Sequence, residues 1–419
     1  MSDFFGRVGG LTAALAMVTL GAPGRAAATD IEVFHYLDRR ADAERVAVLK
    51  DGLKSKGYGW KDFTVANGWS GLGDSMLASR VVSGNPPSAA MMKTPGMHQW
   101  AARGALLPLD GVAAAERWDE LLPRAVADTV KYKGRYYAVP LNIHRLNWLW
   151  INESILKQAG ARAPTTWDEF FVVAEAIKQA GFVAVSHTGR ASQTLELFEI
   201  VALGVGGPAF HRKALTQFDP AELTGPVMEQ VLRTFRRIEP YTEWPANARI
   251  RMPKNTRFEA GEVGMHLMGD WANPATYPAD KAASFKTLCV PAPGSANSFA
   301  FTVDSFAMFR TAGADDAGGQ RAFASAVMLP EVQRLYSLRK GSIPARLGAN
   351  LDRYHPCALK SLAAYQAASL AGTLVPALSM TSSRDIEDAV SAVLSEFWND
   401  ERITPQMAMK RLVAVTRRH

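Results

Sequence analysis

The sequence predicts an α/β fold built in two lobes, and three observations carry that expectation. The chain has 419 residues, 48% hydrophobic and 21% charged, a globular composition spread over more length than one core of ordinary size. Short apolar, β-prone runs alternate with amphipathic helical stretches, the pattern of layered α/β domains with a mainly parallel sheet. No internal repeat or low-complexity linker separates two halves. Several ordered crossings, rather than one flexible tether, are therefore expected to join the lobes.

The chain begins with a segment that is not part of the fold. Arg7 precedes an apolar stretch (11–22), which Pro23 and Gly24 break before Ala26, Ala27 and Ala28. That succession reads as a signal peptide over residues 1–28, although Asp3 is unusual in its basic head. The stretch is too short to remain as a bilayer anchor, and no later segment reaches about 18 uninterrupted apolar residues. No cysteine stands at the cleavage point. An exported, soluble protein whose mature chain starts near Thr29 is expected.

The elements follow in order. IEVFHYL (31–37) reads as a strand, and a helix starts at Asp42 with Val46, Leu49 and Leu53 on one face and a stop at Gly57. FTVA (63–66) is a second strand, GLGDSMLASRVVSG (71–84) a glycine-bounded helix, and SAAMM (88–92) a buried strand after the NPP turn. In TWDEFFVVAEAIKQAG (166–181) Thr166 and Glu169 form a capping box, and Phe170, Val173, Ala174 and Ile177 make a helical stripe ended by Gly181. That stripe is core. PEVQRLYSLRKGSIPAR (330–346) is a helix ending in a Lys-Gly-Ser loop, and the remainder is mostly helical.

Several chemistries are disfavoured. The net charge of +7 includes no dense Lys/Arg run; RRADAER (39–45) and FRRIE (235–239) mix both signs, so no nucleic-acid partner is expected. G-x-S-x-G, P-loop, H-E-x-x-H and Cys-x-x-Cys motifs are missing, and the eight histidines are scattered. Neither a metal nor a cofactor is expected. Cys289 and Cys357 are either a disulfide closing a long loop or two buried thiols.

Sugar binding needs aromatic faces for the C–H side of a ring and charged or amide groups for its hydroxyls. Tyr36 with Asp38 and Asp42, Lys93, Asp270-Trp271, Asp304-Ser305 and Lys340-Gly341-Ser342 all fall at strand or helix ends. Each alone is an ordinary cap, solvated charge or core ring. Together they stand where clefts of α/β domains form.

KYKGRYYAVPLNIHRLNWLWINESILKQAG (131–160), followed by APTTWDEF (163–170), resembles the central signature of family 1 extracellular solute-binding proteins of sugar ABC importers. SRVVSGNPP (79–87), QWAARGALLPLD (99–110), FEAGEVGMHLMGDWA (258–272), VPAPGS (290–295), VDSFAMF (303–309) and KGSIPAR (340–346) extend it in order through nearly the whole mature chain. The glucose/mannose-binding branch is the most similar. The resemblance implies a two-lobed periplasmic-binding-protein fold of maltose-binding type, its ligand cleft lying between lobes joined by several hinge crossings. Residues 29–140 with 293–335 would form the N-terminal lobe, and 141–292 with 336–419 the C-terminal lobe. It further implies a monomer that binds a monosaccharide or similar polar ligand and delivers it to the transmembrane subunits of an ABC permease.

Carried over position by position, the resemblance implies ligand binding by Tyr36, Asp42, Lys93, Trp271, Asp304 and Lys340. Arg39, Arg40, His144, Asn147 and Asp270 are further candidates at the cleft. The rim departs from the branch. Asp42 stands for a glutamate, Tyr36 and Leu37 for paired tryptophans, and Asp38, Arg39 and Arg40 for small residues. Ser192-Gln193 replaces a Trp-Gln pair, and Ser379 a late histidine. Two alternatives follow: Arg39 and Arg40 selecting a uronate or sugar phosphate, or Asp270 and Asp304 serving as acid and base of a glycoside-acting enzyme. RYYAVPLNIHRLNWLW (135–150) is then the crossing into the second lobe, with Tyr136 and Trp150 packed inside and Asn147 or His144 edging the cleft.

Overall fold

The computed structural model describes residues 30–37, 42–65, 71–242, 256–274, 285–311 and 316–417. The signal-peptide reading and the positions of Asp38, Arg39 and Arg40 lie outside them. Among the described residues no helix is long and apolar enough to cross a membrane.

Two sheets organise the chain, one per lobe. The larger has the order Ile343–Pro344, Ala138–Arg145, Phe299–Met308, Ala89–Met92, Ile31–His35, Trp60–Thr64, and Leu374–Pro376 also pairs with Phe299–Met308. Ile31–His35 runs parallel to both neighbours, as strands joined through helices Ala43–Ser55 and Leu72–Val82 should. Phe299–Met308 instead runs antiparallel to Ala89–Met92 and Ala138–Arg145. The sheet is thus mixed rather than mainly parallel. The reason is connectivity: Phe299–Met308 enters from the other lobe, so no crossover helix sets its direction. The smaller sheet has the order Thr287–Pro291, Trp148–Asn152, Val263–Leu267, Val183–Val185.

Local signals are realised where packing supports them. Helix Trp167–Gln179 carries the reciprocal Thr166–Glu169 capping box and buries Phe170, Val173, Ala174 and Ile177. Helix Ala43–Ser55 buries Val46, Leu49 and Leu53 against the large sheet, and Gly57 turns the chain at φ 86°. The C-terminal helices Arg384–Asn399 and Pro405–Thr416 place Val390, Leu394, Phe397 and Leu412 in the second core.

The sheets locate the crossings. Ala138–Arg145 lies wholly in the large sheet and Trp148–Asn152 in the small one, so the first crossing is Leu146-Asn147. The boundary expected at 140 would cut that strand. Similarly, Tyr336, Ile343 and Ala345 pack in the first core, although residues from 336 on were expected in the second lobe. Segment 292–298 returns the chain to the large sheet, and a third crossing follows Leu374–Pro376. Asn147 ties the first two together: its Nδ2 donates to Ser295 Oγ at 3.0 Å and the Ser298 carbonyl at 3.1 Å, and its Oδ1 accepts from Ala300 N at 3.0 Å. It is a fully buried crossing residue rather than a cleft edge. Tyr136 and Trp150 are buried, and the Arg145 guanidinium lies 4.2 Å from the Trp148 ring centre. The aromatic run is strand, crossing and strand. Cys289 and Cys357 are joined as a disulfide, with Cα atoms 5.9 Å apart.

Candidate functional site

A buried charged cluster forms where the crossing strands meet. Asp304, on Phe299–Met308, lies beside His144 on the adjacent antiparallel strand Ala138–Arg145. Lys93, just after Ala89–Met92, donates from Nζ to Asp304 Oδ1 at 2.7 Å and lies 3.4 Å from the Val303 carbonyl. His144 Nε2 is 3.1 Å from Asp304 Oδ2, and its Nδ1 bonds Asp270 Oδ1. Asp270 follows the small-sheet strand Val263–Leu267, and its second oxygen accepts from Arg145 N at 2.9 Å. His144 thus bridges one carboxylate from each lobe.

The surroundings are aromatic and amide. Trp271, in the turn Asp270–Ala272, is half-buried and meets the His144 ring edge-on at 5.4 Å. The Asn142 amide lies 2.9 Å from both His144 Nε2 and Ser342 Oγ, and its Oδ1 is buried without a partner. Lys340 ends helix Pro330–Lys340 before Gly341, whose φ of 81° turns the loop, and its charge acts on Asp304.

Burial opposes charge throughout, and pairing decides the outcome. Burial raises the Asp304 carboxyl, yet Lys93, His144 and Lys340 together hold it well below its ordinary range. Burial also disfavours the His144 imidazolium, but Asp270 and Asp304 outweigh it and raise its pKa. A raised folded-state value means a charge contribution complete below the unfolded value of about 6.5 and lost as pH rises through the folded value. Wild type should therefore lose its stability advantage over His144→Gln progressively as pH climbs above about 6.5 toward the raised folded value. Urea midpoints of both chains across that range measure this; a constant difference would mean His144 is neutral.

The remaining expected residues fall elsewhere. Asp42 is buried but holds Arg45 Nη1 at 2.5 Å, and Arg45 Nη2 donates to the Arg339 carbonyl at 3.0 Å. Tyr36 is buried and donates from its hydroxyl to Asp74 Oδ1 at 2.7 Å. Ser192 is exposed, while Gln193 points inward to accept from Thr188 N at 2.8 Å. Sequence reasoning passed over Asn142, Arg45, Asp74 and Arg384, whereas Ser342 belongs to the Lys340-Gly341-Ser342 loop it singled out. Asn142 was legible as the i−2 neighbour of His144 on one strand face; Asp74 and Arg384 gave no local signal. A shallow depression on the C-terminal helices, lined by Glu396, Asp400 and Arg411 among others, contains none of the cluster. Its charges are surface pairs such as Arg411–Glu396 at 2.6 Å.

The profile of the bacterial extracellular solute-binding proteins matches residues 56–365. A probable sugar-binding periplasmic protein of Rhizobium meliloti is 32% identical over 405 residues, 96% of this chain and 97% of that one. An uncharacterized ABC transporter extracellular-binding protein of Pyrococcus horikoshii is 26% identical over 335 residues, 78% of this chain and 74% of its own. Among solved structures, a chitin oligosaccharide binding protein superposes with a TM-score of 0.79 at 17% identity, covering 93% of this chain and 98% of its own. The bacterial solute receptor AcbH, described as having an exclusive preference for β-D-galactopyranose, also reaches 0.79, at 19% identity over 93% of this chain and 99% of its own. At such identity these two share the fold.

Proposed function

Because the chain belongs to the bacterial extracellular solute-binding protein family, we propose that it captures a neutral monosaccharide between its lobes and presents the closed form to an ABC permease in the membrane. It is a binding protein rather than an enzyme, and its relatives are named as periplasmic sugar-binding proteins. The observation that carries the reading is the Lys93–Asp304–His144–Asp270 row beside Trp271, set where the lobes face each other. Asp304 and Lys93 offer an acceptor and a donor to ring hydroxyls, and Trp271 a face for the ring's C–H side. Closure around the ligand excludes water and gives the permease two distinguishable states.

Charge balance favours a neutral ligand. Lys93 is paired with Asp304, Arg384 with Asp74, and His144 lies between two carboxylates. Arg39 and Arg40, which would select an acidic sugar, lie outside the described residues. The enzyme alternative meets a physical objection: Asp304 is held ionised, and Asp270 is occupied by His144 and Arg145 N, so neither carboxyl serves as a general acid. Asp42 is read as supporting Arg45 rather than touching ligand.

Thermal shift against hexoses, pentoses, disaccharides, uronates and sugar phosphates tests the reading. A hundredfold excess over Kd stabilises the folded chain by about 2.7 kcal/mol. A shift with one neutral hexose is expected; response to acidic ligands alone would return Arg39 and Arg40 to the centre. Trp271→Ala should weaken sugar binding about 100-fold by titration calorimetry. An unchanged Kd would remove Trp271 from the site.

A further inference from the structure

We propose that Asp74 and Arg384 form a gate across the cleft that sets ligand size, admitting one pyranose ring and excluding longer chains; this rests on the sugar-binding reading above. Asp74 belongs to helix Leu72–Val82 of the first lobe. Arg384 opens helix Arg384–Asn399, whose Ile386, Val390 and Leu394 lie in the second core. Arg384 Nε donates to Asp74 Oδ2 at 3.3 Å, while the Tyr36 hydroxyl holds Asp74 Oδ1 at 2.7 Å. Glu387 Oε2 lies 3.8 Å from Arg384 Nη1 and braces it from the same helix. Tyr36, Asp74, Arg384 and Glu387 thus form a polar row running from one lobe to the other.

The row stands beside the Lys93–Asp304 cluster. Tyr36 directly follows strand Ile31–His35, and the Glu387 carboxyl feels the charge of Lys93. Met380, four residues before Arg384, accepts at Sδ from Val303 N at 3.4 Å, next to Asp304. The segment that delivers Arg384 is therefore anchored to the strand that carries the site. One ring at Lys93, Asp304 and Trp271 leaves the gate shut. A second ring extending past Tyr36 has to part Asp74 from Arg384 and give up the ion pair that links the two lobes, while Tyr36 and Glu387 keep their hold on each. The side chains of Asp74 and Arg384 are 45% and 35% exposed, so the pair contributes little to folding, and its removal should leave the lobes intact.

Titration calorimetry of the mature chain with glucose, galactose and mannose, then maltose, lactose and maltotriose, tests the gate. Wild type should bind one monosaccharide about 100-fold more tightly than the disaccharide containing that ring, and Arg384→Ala should cut this ratio about tenfold or more by gaining disaccharide affinity. Asp74→Ala should do the same from the opposite lobe, and it reads the gate independently if Arg384→Ala fails to fold. A selective wild type whose ratio is unchanged in a folded variant overturns the gate alone. A wild type that prefers the disaccharide also overturns it, and silence with every sugar overturns the sugar reading and the gate together.

Discussion

Asp304→Ala is expected to abolish sugar binding and to lower folding stability by about 3 kcal/mol, the lower end of the cost of stripping a buried charge of its partner. Asp304 is 4% exposed and is shared by Lys93 Nζ at 2.7 Å and His144 Nε2 at 3.1 Å. Removing it leaves both donors facing each other. Lys93 can relax, since a fifth of its side chain reaches solvent, and His144 keeps Asp270; these two facts hold the cost at the low end. Asp304→Asn separates charge from shape, because it preserves the volume but removes the counter-charge. It should lose most of the binding and a smaller share of the stability. Because the folded Asp304 pKa is depressed, its contribution is complete above the unfolded value of about 3.9 and is lost as pH falls through the folded value. Urea unfolding at pH 7 and pH 3, with calorimetry of the same variants, checks both parts. Full affinity in Asp304→Asn would place the ligand elsewhere.

What the sequence revealed, and what it withheld, follows from the range of each interaction. The capping box at Thr166 and Glu169 and the stop at Gly57 are decided within a few residues, and both were legible. Lys93, Asp304 and Trp271 stood out at strand and helix ends, but that Lys93 meets Asp304 was not legible, since the strand pairing that unites those two joins segments some 200 residues apart. The partner of Asp42, Arg45, lies one turn along the same helix, yet nothing in the local sequence announced that pairing. Asn147 was misread because its hydrogen bonds go to Ser295, Ser298 and Ala300 in a different crossing. The parallel sheet failed for a topological reason: alternation of strand and helix says nothing about a strand that arrives from another lobe. Asp74 and Arg384, 310 positions apart, meet only once both cores have formed.

Loss of the Cys289–Cys357 disulfide is expected to cost about 4 kcal/mol, the chain-entropy value for a closed loop of this length, whose ends are 68 positions apart. Its placement argues that most of this appears as stability rather than binding. Cys289 lies on small-sheet strand Thr287–Pro291, next to Trp148 and Trp150 in a buried cluster. Cys357 opens helix Pro356–Ala371, whose Tyr365 and Ala368 pack in the first core. The bond therefore limits how far the two lobes separate in the unfolded chain, while none of the Lys93–Asp304 cluster depends on it. At about 2.1 cal/mol/K of unfolding entropy per residue over the roughly 390 residues that follow the expected signal segment, 4 kcal/mol lowers Tm by about 5 °C. Calorimetric melting of Cys289→Ala/Cys357→Ala, and of wild type under reductant, should agree on that drop, with sugar affinity at 25 °C unchanged. A Tm within about 1 °C of wild type would show that the cores alone hold the lobes in register, and a lost affinity would show that the cleft depends on the bond.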